Sequence, residues 1–224
     1  MKQSRFTPRV RTGDPLEIIP RVLNKLYSTW LRMTYPFPFM GSKVSIHYTC
    51  SINRLIAHRI RLGNSVVMKK DACLGVSLRP EDEGEPVIVI DDNCVIHLRS
   101  RIGAINHIHL ERDVFVTQNV IITDHGHGYQ DPTMPILGQG FTKGGRIRIG
   151  EGTWIGHGAA IVCSQGELIL GRNCVVNANA VVTRSAPPYS VLSGNPARIV
   201  KQYDPINQVW TMGSVRSTEA ILTK

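Results

Sequence analysis

A branched aliphatic residue stands at almost every sixth position between residues 90 and 185, often followed by a small or acidic residue. Ile90-Asp91-Asp92-Asn93-Cys94-Val95 leads into Ile96 and then Ile102-Gly103. After a two-residue slip come Leu110-Glu111-Arg112-Asp113-Val114-Phe115, Val116-Thr117-Gln118-Asn119-Val120-Ile121 and Ile122. A longer break follows, and the period returns at Ile149-Gly150, Ile155-Gly156, Ile161, Leu170-Gly171-Arg172-Asn173-Cys174-Val175, Val176 and Val182. Six residues match neither the 3.6-residue helical period nor simple strand alternation. They match a coil with flat faces, each face one short strand and one corner. The aliphatic residue points inward, and the small or polar residues after it turn the corner. Stacked coils bury a continuous apolar column, so stability comes from neighbours along one axis.

The composition suits this. The chain has 224 residues, enough for one good core plus an appendage, and only 6% are aromatic, as a narrow tube filled by Val, Ile and Leu requires. No apolar run approaches the ~20 residues that span a bilayer. The N-terminus lacks the apolar core of a signal peptide, so a cytoplasmic location is the expectation. Cysteines 50, 73, 94, 163 and 174 form no CxxC pair and no metal spacing. Cys94 and Cys174 occupy the fifth place of a hexapeptide, where a small inward residue belongs, so reduced packing thiols are expected. The formal net charge of +9 favours anionic partners: phosphorylated cofactors, acidic polysaccharide or anionic lipid. Nucleic acid is not expected, because no binding motif accompanies the charge.

Three segments follow. Residues 1–42 form a basic, helical extension, with Arg5, Arg9, Arg11 and Arg21 among prolines. Residues 20–33 read as one helix, with Pro20 in its first turn and Val22, Leu23, Leu26, Trp30 and Met33 on one stripe. That stripe is expected to pack on the first coil; the sharper alternative is peripheral contact with a membrane surface by the helix and its basic flank. Residues 43–186 carry the repeat. Ile46, Ile52, Leu62-Gly63, Met68 and Leu74-Gly75 are its worn early coils, residues 79–86 an exposed acidic turn, and residues 129–145 a Gly/Pro-rich loop thrown out between regular coils. Residues 187–224 leave the repeat, and a polar tail is expected from residue 203.

Three features together resemble the hexapeptide-repeat acyltransferases, and most closely their sugar O-acetyltransferase branch. They are Asp124-His125-Gly126-His127 before the extruded loop, Ile147-Arg148-Ile149-Gly150 leading to Trp154-Ile155-Gly156, and Val182-Thr183-Arg184 with Gly194-Asn195-Pro196-Ala197-Arg198-Ile199-Val200-Lys201. The similarity spans about residues 85–203. It implies an all-β, left-handed parallel β-helix; composition and period alone would have suggested the usual right-handed crossover. It also implies a homotrimer with each active site between neighbouring β-helices, acetyl-CoA as donor, no metal, and direct transfer to an acceptor hydroxyl or amine. An alcohol is a poor nucleophile at neutral pH, so a base must take its proton, and histidine has the suitable pKa. The oxyanion needs a donor already in place.

Counting without gaps, the family's catalytic histidine falls on His127, with His125 two residues earlier as the competitor. In an extended strand both would point to the same side. Asp124 and Asp131, on the acceptor side, are candidates to fix the tautomer of the base. Trp154 matches a family tryptophan whose indole N–H would serve the oxyanion or acceptor; packing at the trimer seam is the alternative. His97 falls where the galactoside enzymes carry an acceptor-binding Asn. His107 and His109 have weaker claims. For the donor, His157 lies near the start of the family's CoA groove, Ala178 matches a backbone contact to pantetheine, and Thr183, Arg184, Arg198 and Lys201 match polar or basic positions near the phosphates. One departure is the stretch 162–171, about three residues longer than the family pattern, which reads as a bulge near the CoA channel.

Two other classes compete. γ-Type carbonic anhydrases share the fold and bind zinc through three histidines, but His125 and His127 are two apart where a pair five apart is needed. A non-catalytic scaffold would not need the His-loop-Trp arrangement. The expectation is therefore an O-acetyltransferase acting on a sugar or glycan acceptor in capsule, exopolysaccharide or lipopolysaccharide synthesis, with N-acetylation of a nucleotide-linked amino sugar as runner-up.

Overall fold

A computed structural model describes residues 18–77 and 84–212. Arg5, Arg9 and Arg11, most of the acidic turn and residues 213–224 lie outside the described residues. Each coil gives one strand to each of three sheets. In chain order the coils are β1 (Phe39–Met40), β2 (Ser45–Ile46), β3 (Ser51–Ile52); β4 (Ile60–Leu62), β5 (Val67–Met68), β6 (Cys73–Val76); β7 (Ile88–Ile90), β8 (Val95–Ile96), β9 (Arg101–Ala104). They continue with β10 (His107–Leu110), β11 (Phe115–Val116), β12 (Ile121–Thr123); β13 (Gly144–Ile149), β14 (Trp154–Ile155), β15 (Ala160–Val162); β16 (Gln165–Leu170), β17 (Val175–Val176), β18 (Val181–Val182). The first sheet runs β1-β4-β7-β10-β13-β16, and the third stacks β3-β6-β9-β12-β15-β18. The second stacks β2-β5-β8-β11-β14-β17 and ends in β19 (Ser190–Ser193), β20 (Arg198–Asp204) and β21 (Val209–Met212). All coil-to-coil pairings are parallel, and the fold is the left-handed β-helix that the motifs implied.

The repeat has a local physical cause. Its first residue faces inward and is fully buried, as Ile90, Ile96, Leu110, Val116, Ile149, Ile155, Leu170 and Val176 show. Its fourth residue turns the corner with positive φ: Asn93 at 62°, Asp113 at 60°, Asn119 at 59°, Gly152 and Gly158 at 68°, Asn173 at 52°, Asn179 at 57°. Gly, Asn and Asp adopt that region most cheaply and fill most of these places, with Lys43, Ser65 and Arg99, each at 56°, as the exceptions. The fifth residue returns inward and is small or β-branched: Cys94, Ser100, Val114, Val120, Thr153, Ala159, Cys174 and Ala180 are buried there. Burial pushes the Cys94 thiol up to about 12, as expected of a packing residue far from reactive range. Each fully buried aliphatic side chain contributes about 1.5–3 kcal/mol.

The spacing is kept at two of the three corners in every coil. Leu62, Met68 and Leu74 are six apart, as are Ile90, Ile96 and Ile102; Leu110, Val116 and Ile122; Ile149, Ile155 and Ile161; Leu170, Val176 and Val182. Every departure lies at the third corner, where the chain passes from the third sheet back to the first. The slip after Ile102 and the long loop are therefore stacked on one edge of the prism. The extra residues after Ile161 are not a bulge. Gln165, Gly166 and Glu167 lengthen β16, which pairs residue for residue with Gly144, Gly145 and Arg146 of β13.

The helix α1 (Ile18–Thr34) covers the first coil, but not with the stripe expected of it. Val22, Leu23, Leu26, Trp30 and Met33 are exposed, Met33 by 79%, while Ser28 and Leu31 are buried. The end of a β-helix is a row of unpaired backbone groups that needs polar partners. Ser28 Oγ accepts from Ile46 N–H (2.8 Å), and the Arg32 guanidinium donates to Met40 O (2.8 Å) and Gly41 O (2.5 Å). The helix therefore turns Leu31, Tyr27 and these polar groups inward and the expected stripe out. At the other end, residues 198–212 form the antiparallel β20–β21 hairpin where a tail was expected. Among the described residues no helix is long and apolar enough to cross a membrane.

Candidate active site

The long break in the period begins where β12 ends at Thr123. Asp124 turns into the third corner and is fully buried. Its Oδ1 accepts from Ile105 N–H (2.8 Å), and its Oδ2 accepts from Asn106 N–H (2.8 Å) and His107 N–H (2.9 Å). These donors lie in the two-residue slip after Ile102, which widens the coil below and aims three amides at one carboxylate. A fourth partner is the next residue. His125 Nδ1 lies 2.9 Å from Asp124 Oδ1. With that nitrogen carrying the proton, Nε2 keeps the lone pair a base needs.

The loop stem fixes this geometry. Thr142 N–H donates to Gly126 O (2.8 Å), Gly126 N–H to Thr142 Oγ1 (3.1 Å) and Gly128 N–H to Gly140 O (3.0 Å). Phe141 returns between the histidines, its ring 5.1 Å from His125 in an edge contact and 5.0 Å from His127. His125 is partly buried, whereas His127 is exposed and bridges Phe141 through its backbone. Asp131 is exposed on the loop, where its Oδ1 accepts from Thr133 N–H (2.8 Å) and Oγ1 (2.6 Å). Those two donors hold its pKa below the ordinary value, and its carboxylate serves a turn.

The other sequence candidates lie elsewhere on the prism. Trp154 is half-exposed on the outer face of the second sheet, between Phe115 and Val175. His97, His157 and Ala178 follow β8, β14 and β17 on the second corner. His97 is partly buried with Nδ1 unpartnered, and burial first, then Lys69, depresses its pKa. Gly156 stacks so tightly on this edge that a Cβ there would lie 2.7 Å from Ala178 N. Arg198 and Lys201 are exposed on β20, beside the same edge, where Ala197 N–H donates to Val181 O (2.8 Å). Thr183 and Arg184 are exposed after β18, on the third corner above His125. One chain thus carries one edge with His125, Asp124 and Thr183-Arg184, and a separate edge with His97, His157 and Ala178. His107 and His109 are on the outer face of the first sheet, His109 paired with Asp91 at 2.7 Å. Among the described residues no group of three or more His, Cys, Asp or Glu side chains is gathered to hold a metal ion. Sequence reasoning missed Asn106, Phe141 and Thr142; the slip after Ile102 was the only signal of the first.

Comparison with known proteins agrees with this architecture. No family model matches the chain. A protein of Escherichia coli K12 named for lipopolysaccharide biosynthesis O-acetyl transfer, WbbJ, is 30% identical over 167 residues, covering 72% of this chain and 83% of that protein. A protein of Mycobacterium tuberculosis named as an acetyltransferase is 33% identical over 165 residues, covering 73% of this chain but 49% of its own length. Among solved structures, a variant of the N-acyltransferase AntD from Bacillus cereus, in complex with dTDP and coenzyme A, superposes with a TM-score of 0.64 at 18% identity, covering 79% of this chain and 89% of that one. The chain belongs to the hexapeptide-repeat acyltransferases.

Proposed function

We propose that this chain is an acetyl-CoA-dependent O-acetyltransferase whose acceptor is a sugar hydroxyl in the assembly of lipopolysaccharide or another surface polysaccharide. The observation that carries the reading is the His125–Asp124 pair at 2.9 Å, its carboxylate buried and held by three backbone amides. The named activity of the Escherichia coli relative supports the substrate class. His125 Nε2 takes the proton of the acceptor hydroxyl as its oxygen attacks the thioester carbonyl carbon. The new C–O bond forms, the tetrahedral oxyanion collapses, the C–S bond breaks, and the imidazolium returns the proton to the CoA sulfur. His127 and Asp131 shape the loop over the acceptor.

The second corner fits the donor. Its close backbone stack at Gly156 and Ala178 would let a pantetheine arm lie in a groove along the edge, and the exposed cations Arg198 and Lys201 are the candidates to receive its phosphates. Because this groove and His125 are on different edges, the reading requires copies packed side by side, with Thr183 and Arg184 facing the same cleft from the base-bearing copy. A homotrimer meets this with one repeated interface. Trp154 and His97 of one copy then face the acceptor held by the next. The outward stripe of α1, on a helix with no acidic residue, supports peripheral contact with an anionic lipid surface at the inner face of the membrane, where lipid-linked acceptors would be met.

The test is thiol release from acetyl-CoA by the full chain across neutral sugars, amino sugars, nucleotide-sugars and oligosaccharides. Release with hydroxyl acceptors is expected. Release confined to amino sugars would replace O- by N-acetylation, and none with any acceptor would remove the transferase reading.

A further inference from the structure

Behind the Asp124 carboxylate lies a second polar feature that proton transfer does not use. Arg59 ends the short 3₁₀ segment Arg54–Arg59, just before β4. It is only 5% exposed, an unusual state for a guanidinium, which keeps its charge at any physiological pH. Its Nε donates to Glu85 O (2.8 Å), but its Nη1 is buried without a hydrogen-bond partner. A buried donor left unmade is costly, and proteins rarely keep one without a ligand, an ion or an ordered water to receive it.

Arg59 lines a cavity of about 380 Å³ with Ile105, Asn106, Arg146 and the glycines 144, 145 and 166. Among the described residues the lining carries two guanidinium groups and no carboxylate. The glycines make the space: at Gly166, with φ of 69°, a Cβ would meet nothing within 4 Å, and at Gly144 it would lie 2.8 Å from Asn106 Nδ2. Glu167, the register partner of Arg146 across the first sheet, forms no ion pair with it among the described residues. The half-buried His107 ring is depressed in pKa by burial first and Arg146 second, so it adds no charge of its own near neutrality.

The cavity adjoins the reaction centre through shared atoms. Asn106 N–H donates to Asp124 Oδ2 (2.8 Å), and Gly145 N–H donates to Asp124 O (2.6 Å). The Asp124 carboxylate is thus hydrogen-bonded both to the ring of His125 and to the Ile105 and Asn106 amides of the cavity's lining. We propose that this cavity is a subsite for an anionic group of the acceptor, a phosphate or carboxylate received by Arg59 and Arg146, so that the enzyme selects acidic acceptors over neutral ones. The proposal rests on the transferase reading for its meaning, but anion binding can be measured without it.

The experiment pairs each neutral sugar with its phosphate ester and its uronate, and compares kcat/KM for the full-length wild type, Arg59→Gln and Arg146→Gln. The acidic partner is expected to lead by at least about tenfold, with one anion, ester or uronate, ahead of the other. That lead should fall about tenfold in either variant, mainly through KM, because a guanidinium holds an oxyanion by charge-assisted hydrogen bonds. Arg146 is on an outer face, so its variant reports even if the loss of buried Arg59 prevents folding. Independently, inorganic phosphate should raise the melting temperature of wild type above chloride at equal ionic strength, and the rise should vanish in Arg146→Gln. Equal rates on neutral and acidic acceptors together with no phosphate effect would overturn the subsite while leaving the transferase intact. A phosphate effect lost in the variants, without transfer to any acceptor, would overturn the transferase reading and keep the subsite.

Discussion

His125 and His127 differ by one glycine between them, yet only His125 meets a carboxylate. The ungapped count of residues favours His127, and strand alternation cannot separate the two. The rule fails because β12 stops at Thr123: the chain is no longer extended at Asp124, so neighbours 124 and 125 touch where a strand would point them to opposite faces. We expect His125→Ala to lower kcat by about 10²–10⁴-fold, the usual contribution of a general base. His127→Ala should lose less than about tenfold, through KM, as a loop residue. Thiol-release kinetics on both variants check this, and the reverse ranking would return the base to His127. The motif itself, two histidines and an aspartate before an extruded loop, was fully legible; the partner of each side chain was not, because that depends on amides from the coil below.

At the level of elements, the strands were read from sequence almost one by one, since each inward aliphatic residue marks its own strand. The helix α1 was read correctly as a helix and wrongly in its packing. Its hydrophobic stripe is plain, but what it meets is the open end of a β-helix, and that end asks for hydrogen bonds before apolar surface. Ser28 and Arg32 supply them. The stripe left outward should make the full chain sediment with vesicles containing anionic lipid, less with neutral ones, and poorly at high salt. Trp30→Glu with Met33→Glu should cut the bound fraction about tenfold without lowering thermal stability, because neither side chain is buried. Absence of vesicle binding by the wild type, with a smaller oligomer in the double variant, would assign the stripe to a second copy instead.

For the molecule as a whole, the repeat predicted a prism, but a one-dimensional period cannot say which corner receives each interruption. Stacking shows that all of them fall on the third. It also sets His125 and Trp154 on different faces of one chain, so that under the proposed reading the two would meet only between copies. Full-length His125→Ala and Trp154→Ala proteins should each be impaired, and co-assembled at equal amounts they should regain activity. Random mixing leaves about a quarter of the interfaces with both residues intact. No recovery would put both residues in one chain's site, and full activity of Trp154→Ala alone would make Trp154 a packing residue.

The confinement of every insertion to one edge has a consequence for how such a molecule can change. Two edges are bound by a strict residue count, since one added residue would turn an aliphatic side chain out of the column and a polar one into it. The third edge closes its hydrogen bonds across whatever length of chain departs and returns, as Gly126 and Thr142 do. Rigidity and selectivity are thus written in separate parts of the text. The segment between Asp124 and Gly144 is therefore the place where a different length of chain is expected to be accepted while the column that keeps the protein folded stays in register.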